Sequence, residues 1–85
     1  MVEYNELNDK EKVLMEAEKG VLTSNDVSLL LDIELSFASN LLRELWGQRI
    51  LTRKKTSKKG GGVKYVYELS RKGQDIVDIL HKKGY

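Results

Sequence analysis

The chain has 85 residues, enough for one domain, and a domain of this size buries only about 60% of its unfolded surface on folding. It has no cysteine, which excludes disulfide bridges and thiolate metal sites as supports for the core. The net charge is +2, but residues 1–42 hold three lysines against nine acids, whereas residues 43–85 hold twelve bases against four acids. This separation can present a basic face to DNA, although lysine-rich surfaces also serve solubility alone.

The apolar runs are too short to cross a bilayer, and the acidic N-terminal residues lack the plan of a signal peptide. We therefore expect a cytoplasmic, nucleoid-associated protein without a membrane partner.

Hydrophobic spacing predicts three helices in the first half of the chain, over residues 8–19, 24–31 and 35–48. Asn8 with Glu11, and Thr23 with Asp26, have the spacing of capping boxes at the first two helix starts. Gly20 is placed to end the first helix. The predicted buried stripes consist of Val13, Leu14 and Ala17, then Val27, Leu30 and Leu31, and then Ala38, Leu41, Leu42 and Leu45.

Residues 50–69 predict a β-hairpin, with strands over 50–57 and 63–69 and three glycines near the turn. Seven basic residues and no acid occur between positions 49 and 64, namely Arg49, Arg53, Lys54, Lys55, Lys58, Lys59 and Lys64. A final helix is predicted over 70–83, with Ser70 as its cap and an apolar band formed by Ile76, Val77, Ile79 and Leu80.

Three helices, two strands and a helix, with a short turn between the second and third helices, are the order of a winged helix-turn-helix. The expected fold class is α+β, mainly α, with residues 1–85 as a single domain. From Thr23 to Gln74 the chain resembles winged helix-turn-helix transcription regulators, the MarR-like and PadR-like groups in particular. The similar segments are the turn and recognition helix at 31–45, the strand at 50–53 and the closing segment at 67–73. Two positions depart from that pattern: Arg49 replaces a glycine, and Asn40 replaces a basic residue.

The resemblance implies a transcriptional regulator that binds double-stranded DNA, with the third helix in the major groove and the wing on the backbone or minor groove. The expected DNA contacts are Ser36, Phe37, Ser39, Asn40, Arg43, Arg53, Lys55, Lys58, Lys59 and Lys64.

Several of these side chains have a second interpretation. Asn40 can pair with adenine or be an ordinary solvated residue, and Phe37 can touch a thymine methyl group or pack beside the second helix. Arg43 can reach a phosphate or pair with Glu44 or another acid. Trp46 is expected to pack beneath the wing or at a dimer seam rather than to stack on bases.

A single winged helix covers a short DNA site, so specific regulation favours a homodimer. The apolar band of the last helix, with Tyr4, Leu7 and Tyr85, could supply that interface or complete a monomer core. Catalysis has no candidate, because His81 is the only histidine and the three consecutive glycines at 60–62 are expected at a hairpin tip instead of before a helix. No cofactor, metal or small-molecule ligand is expected. Two other functions stay open: a sequence-independent nucleoid protein and a winged-helix module that binds a protein.

Overall fold

The computed structural model describes residues 7–57 and 63–85. In these residues the elements are α1 (Asp9–Ala17), α2 (Ser24–Leu31), α3 (Leu35–Gly47), β1 (Leu51–Ser57), β2 (Val63–Leu69) and α4 (Arg71–Lys82). The strands pair antiparallel. The predicted fold class, α+β and mainly α, is confirmed. None of the helices in these two ranges is long and apolar enough to span a bilayer.

Reciprocal side-chain caps start the first two helices. Asn8 Oδ1 accepts a hydrogen bond from the Glu11 amide at 2.8 Å, and Glu11 Oε1 accepts one from the Asn8 amide at 3.1 Å. Thr23 and Asp26 make the same pair of bonds at the start of α2. Both predicted capping boxes are confirmed, and each satisfies two amides that a helix start leaves unpaired. The first helix ends at Ala17, two residues before the predicted end, and Gly20 follows in a left-handed conformation.

A tight turn sets the second helix against the third. Asp32 caps α2 with a φ of 54°, in the left-handed region that aspartate tolerates better than most residues. The Ile33 amide donates to the Ser28 carbonyl at 3.1 Å, and the Ser28 hydroxyl donates to the Ile33 carbonyl at 2.6 Å. These two bonds close the turn and fix where α3 begins.

The chain turns from α3 into the wing at Arg49. Its φ is 63°, and its amide donates to the Trp46 carbonyl at 2.9 Å. Gly47 is the last residue of α3 and Gln48 is the cap, so Gly47 does not provide the turn. Arg49 itself adopts the conformation for which a glycine would be usual, at a cost of about 1 kcal/mol.

The hairpin register is set by seven residue pairs, among them Leu51 with Leu69, Arg53 with Tyr67, and Lys55 with Tyr65. Leu22, in the connector after α1, adds a single bridge to β2. Its amide and carbonyl each bond to Tyr67 at 2.8 Å. The hairpin base is therefore tied to the helical part of the fold.

The core lies between the helices and the base of the hairpin. It consists of Val13, Leu14, Ala17, Leu22, Val27, Ala38, Leu42, Leu45, Ile50, Leu51, Tyr67 and Val77. Within the band predicted for α4, Val77 and Leu80 are buried, but Ile79 is 52% exposed. Ile79 is two positions after Val77, and this spacing turns Ile79 away from the buried side of the helix.

Candidate nucleic-acid interface

One side of α3 is sealed in the core and the other faces outward. Ala38, Leu42 and Leu45 are buried almost completely. Ser36, Asn40 and Arg43 are exposed on the opposite side. Their spacings of four and three residues make them neighbours on the helix surface. The structure therefore brings three of the predicted contacts together as a polar strip.

Phe37 lies at the edge of this strip and is 63% exposed. It lines a shallow groove of about 350 Å³ with Ile33, Asn40, Leu41 and, from α1, Asp9. This exposure does not fit the alternative in which the ring is tucked beside α2. An exposed aromatic ring beside a polar strip is free to make apolar contact with a ligand.

Ser39 has a different environment from its neighbours. It is half-buried, and its hydroxyl donates to the hydroxyl of Ser24, at the start of α2, at 3.0 Å. The side chain therefore links the two helices of the helix-turn-helix instead of standing with Ser36 and Asn40. Its spacing in the sequence does not reveal this contact, because Ser24 lies 15 residues away.

The pairing of Glu44 leaves Arg43 available. Lys10 of α1 contacts Glu44 with an Nζ to Oε1 distance of 2.7 Å. Among residues 7–57 and 63–85, no carboxylate lies within ion-pair distance of Arg43. The sequence offered no signal for Lys10, which lies 34 positions from its partner. Its charge offsets an acid that would otherwise repel a polyanion next to the polar strip.

An arginine of the wing stacks on one aromatic ring of α3 and on another ring of the wing itself. The Arg53 guanidinium carbon lies 3.7 Å from the centroid of the Trp46 ring and 4.2 Å from that of Tyr65. Trp46 thus packs against the wing, which is one of its two expected positions. Strand alternation could have grouped Arg53 with Tyr65, but only the tertiary structure brings the end of α3 to them.

The wing contains five further basic residues, all of them lysines. Lys54 and Lys55 are exposed and, as neighbours in a strand, point to opposite faces of the hairpin. Lys58 and Lys59 lie outside the described residues. Lys64 pairs with Thr56 through its backbone, and its side chain is outside the described part.

A separate polar cluster joins α1 to α4, away from the polar strip. His81 Nε2 lies 2.8 Å from Glu18 Oε1, and Gln74 donates to Glu18 Oε2 at 3.0 Å. The hydrogen bond to Glu18 raises the pKa of His81, and the same bond lowers the pKa of the Glu18 carboxyl. Within the part of the chain that the structure describes, no group of three or more potential ligands could hold a metal ion.

No protein-family model matches the chain, and no curated protein matches it by sequence. Solved structures do match. Bacillus subtilis PadR in complex with operator DNA superposes with a TM-score of 0.75 at 19% identity, over 84% of this chain and 45% of that chain. The adhesin competence repressor AdcR from Streptococcus pyogenes superposes with a TM-score of 0.67 at 25% identity, over 85% of this chain and 52% of that chain.

A PadR family transcription regulator from Clostridium difficile gives a TM-score of 0.75 at 12% identity, over 88% of this chain and 84% of that chain. The fold is a winged helix-turn-helix. The resemblance to the PadR and MarR groups is confirmed at the level of fold. This chain spans about half the length of the first two structures.

Proposed function

We propose that the chain is a transcriptional regulator that binds double-stranded DNA, with α3 in the major groove and the β1–β2 wing along the backbone or minor groove. The observation that carries the proposal is the continuity of the exposed side of α3 with the wing. Arg43 and Trp46 are three residues apart on α3, and Trp46 stacks on Arg53 of β1. An α-helix fits the major groove, so a basic hairpin attached beside it can reach the flanking phosphates.

The residue roles follow from the chemistry of the polar strip. Asn40 is exposed and can pair bidentately with an adenine, while Ser36 can bond to a base edge or a phosphate. Arg43 has no ion-pair partner among the described residues, so its guanidinium is available for a phosphate. Phe37 supplies apolar contact for a thymine methyl group. Lys58 and Lys59 remain proposed phosphate contacts of the wing.

The comparisons support this proposal through the fold and through one bound ligand. The PadR structure is a complex with operator DNA, and this chain matches a little under half of that protein. The match supports no inference about the function of the remaining part of that protein. We further propose that two copies act together, through α4 and the chain termini, in the cytoplasm.

The decisive experiment is selection of bound duplexes from a random pool at low and physiological salt. We expect an enriched motif with two related half-sites, since each recognition helix reads a few base pairs and a dimer doubles the site. A flat profile with measurable affinity would instead indicate sequence-independent binding. Failure to bind any duplex at low salt would contradict the proposal.

A variant of Asn40 tests whether its side chain makes a base-specific contact with DNA. Asn40→Ala removes an exposed amide, so we expect folding to be unaffected and the preference for the selected site to fall by about tenfold, as for one lost bidentate contact. Affinity for random duplex should change little. Ser39→Ala is the matched control, because its hydroxyl contacts Ser24. A selected-site preference that is equal in wild type and Asn40→Ala would remove Asn40 from base readout.

A further inference from the structure

Arg53 joins three elements of the fold with one side chain. It belongs to β1, Trp46 to the last turn of α3, and Tyr65 to β2. The guanidinium carbon is 3.7 Å from one ring centroid and 4.2 Å from the other. Trp46 is 40% exposed and Tyr65 37%, so the stack lies at the surface where the wing leaves the recognition helix.

The chemistry of the stack is specific to arginine. A guanidinium is planar, delocalised and weakly hydrated, so both of its faces can lie against aromatic rings. A lysine ammonium carries the same charge but has no plane to place between two rings. Contact with two rings restrains the Arg53 guanidinium beside α3, so it is less free to follow a phosphate.

The stack lies next to the contacts that hold the base of the hairpin. The hairpin base is fixed by the Leu22–Tyr67 bridge and by buried Leu51. Beyond that point, Lys54, Lys55 and Thr56 are all exposed. Tyr65 is opposite Lys55 in the register, two residues further from the base than Tyr67. Arg53 itself is opposite Tyr67, so the stack extends from the level of the Leu22–Tyr67 bridge to Tyr65 and joins the wing to α3 beside the buried base.

We infer that Arg53 is a positioning residue for DNA binding: it sets the angle between the wing and α3 through Trp46 and Tyr65, instead of neutralising a phosphate. This inference rests on the proposed function. Without the stack the wing is more mobile, and DNA must order it on binding. The affinity for DNA should therefore fall, while the number of phosphate contacts stays the same.

The test compares Arg53→Lys, Tyr65→Leu and the double variant with wild type. Each keeps Trp46, the only tryptophan, as a fluorescent reporter. We expect each single variant to bind its best duplex about five- to tenfold more weakly, with an unchanged slope of log affinity against log salt. The double variant should bind no more weakly than either single variant, because both changes break the same stack.

Lys54→Met is the matched control, since it removes a charge from the same strand without touching the stack. It should leave the emission and quenching of Trp46 as in wild type, whereas both stack variants should change them in the absence of DNA. Thermal unfolding of every variant verifies that the protein is folded at the binding temperature.

The outcomes separate the inference from the function on which it rests. Wild type that binds no duplex contradicts the proposed function, while the DNA-free fluorescence still reports on the stack. Wild type that binds, with Arg53→Lys equal to it in affinity, overturns the positioning role. Additive losses in the double variant would show that Arg53 and Tyr65 act independently, which would overturn the shared stack. A further variant, Arg53→Ala, with a salt slope less steep than that of wild type by about 0.9 would make Arg53 a direct phosphate contact.

Discussion

Arg49 has a backbone conformation that is unusual for a residue with a side chain, whereas Gly73 has an ordinary conformation but no room for a side chain. Arg49 takes a left-handed conformation although it has a side chain, and its carbonyl accepts a hydrogen bond from the Ser70 hydroxyl at 2.6 Å. Gly73 is an ordinary helical residue, yet a Cβ there would fall on the carbonyl oxygen of Ile50 and on the side chain of Leu69. The packing of α4 against the junction of α3 and the hairpin thus depends on close approach of the backbones of Gly73 and Ile50.

Gly73→Ala should destabilise the protein by about 1–3 kcal/mol, because the backbone of Ile50 must move to admit the methyl group. Chemical denaturation measures the free energy of unfolding. Gly47→Ala is the matched control, since a Cβ at Gly47 meets nothing within 4 Å. Alanine is also the better helix former, so this variant should be more stable by about 0.5–1 kcal/mol. Equal effects of the two substitutions would contradict the assigned contact.

At the scale of elements, the outer part of the wing is charged and exposed, whereas its base packs into the core. Leu51 and Tyr67 are buried, whereas the strand residues beyond them are largely exposed. The hairpin can therefore lose lysines with little effect on stability, since exposed charges contribute little to it. Their contribution to DNA binding is expected to be electrostatic.

Replacing Lys58 and Lys59 together by alanine should make the slope of log affinity against log salt less steep by about one to two units, with the selected sequence unchanged. Binding titrations across a salt series give the slope. The control is Lys82→Ala with Lys83→Ala, which removes the same charge from α4. A wing variant with the wild-type slope would exclude these two lysines from phosphate binding.

The contact between α1 and α4 should depend on pH. Its groups are Glu18, which caps the end of α1, then His81, Gln74 and Asp78 of α4, and the Tyr85 carbonyl. The pKa of His81 is raised, so its contribution to stability is full below the ordinary histidine value of 6.5 and is lost as pH rises through the raised pKa. The pKa of Glu18 is lowered, so its contribution is present above the ordinary value of 4.5 and is lost as pH falls through the lowered pKa.

His81→Gln should therefore lower the melting temperature most between about pH 4.5 and 6.5, where both charges are present. The difference from wild type should shrink above that window. Melting curves from pH 4 to 9 measure it, and Lys82→Gln is the control on the neighbouring position. A difference that stays constant with pH would mean that the charge on His81 does not stabilise the contact.

At the scale of the whole molecule, large apolar side chains remain exposed on α2, α3 and α4. Ile79 of α4 is 52% exposed and Leu29 of α2 is 84% exposed. The proposed dimer uses α4, so only the first of these should matter for association. A chain of 9.7 kDa would then sediment at twice that mass.

Ile79→Asp should convert the dimer into a monomer at micromolar concentration, because it places a charge in an apolar interface. Sedimentation equilibrium measures the mass. Leu29→Asp, a similar change at a more exposed leucine on α2, should leave the dimer intact. A monomeric wild type would remove the dimer from the proposal, and dissociation by Leu29→Asp alone would move the interface to α2.

The sequence by itself determined the order of elements, both capping boxes and most of the core. These features depend on spacings of two to four residues, which are visible without a fold. For the same reason the polar strip at Ser36, Asn40 and Arg43 could be predicted from one helix alone. The roles of these residues in binding stay predictions.

Only the tertiary structure decided what Ser39, Glu44 and Arg53 contact. Their partners are Ser24, Lys10 and Trp46, which belong to other elements. Helix periodicity says which residues share a face but not which neighbouring element that face meets. The stack on Arg53 also requires the chain to turn after α3, and that turn includes a left-handed Arg49 where a glycine would be usual.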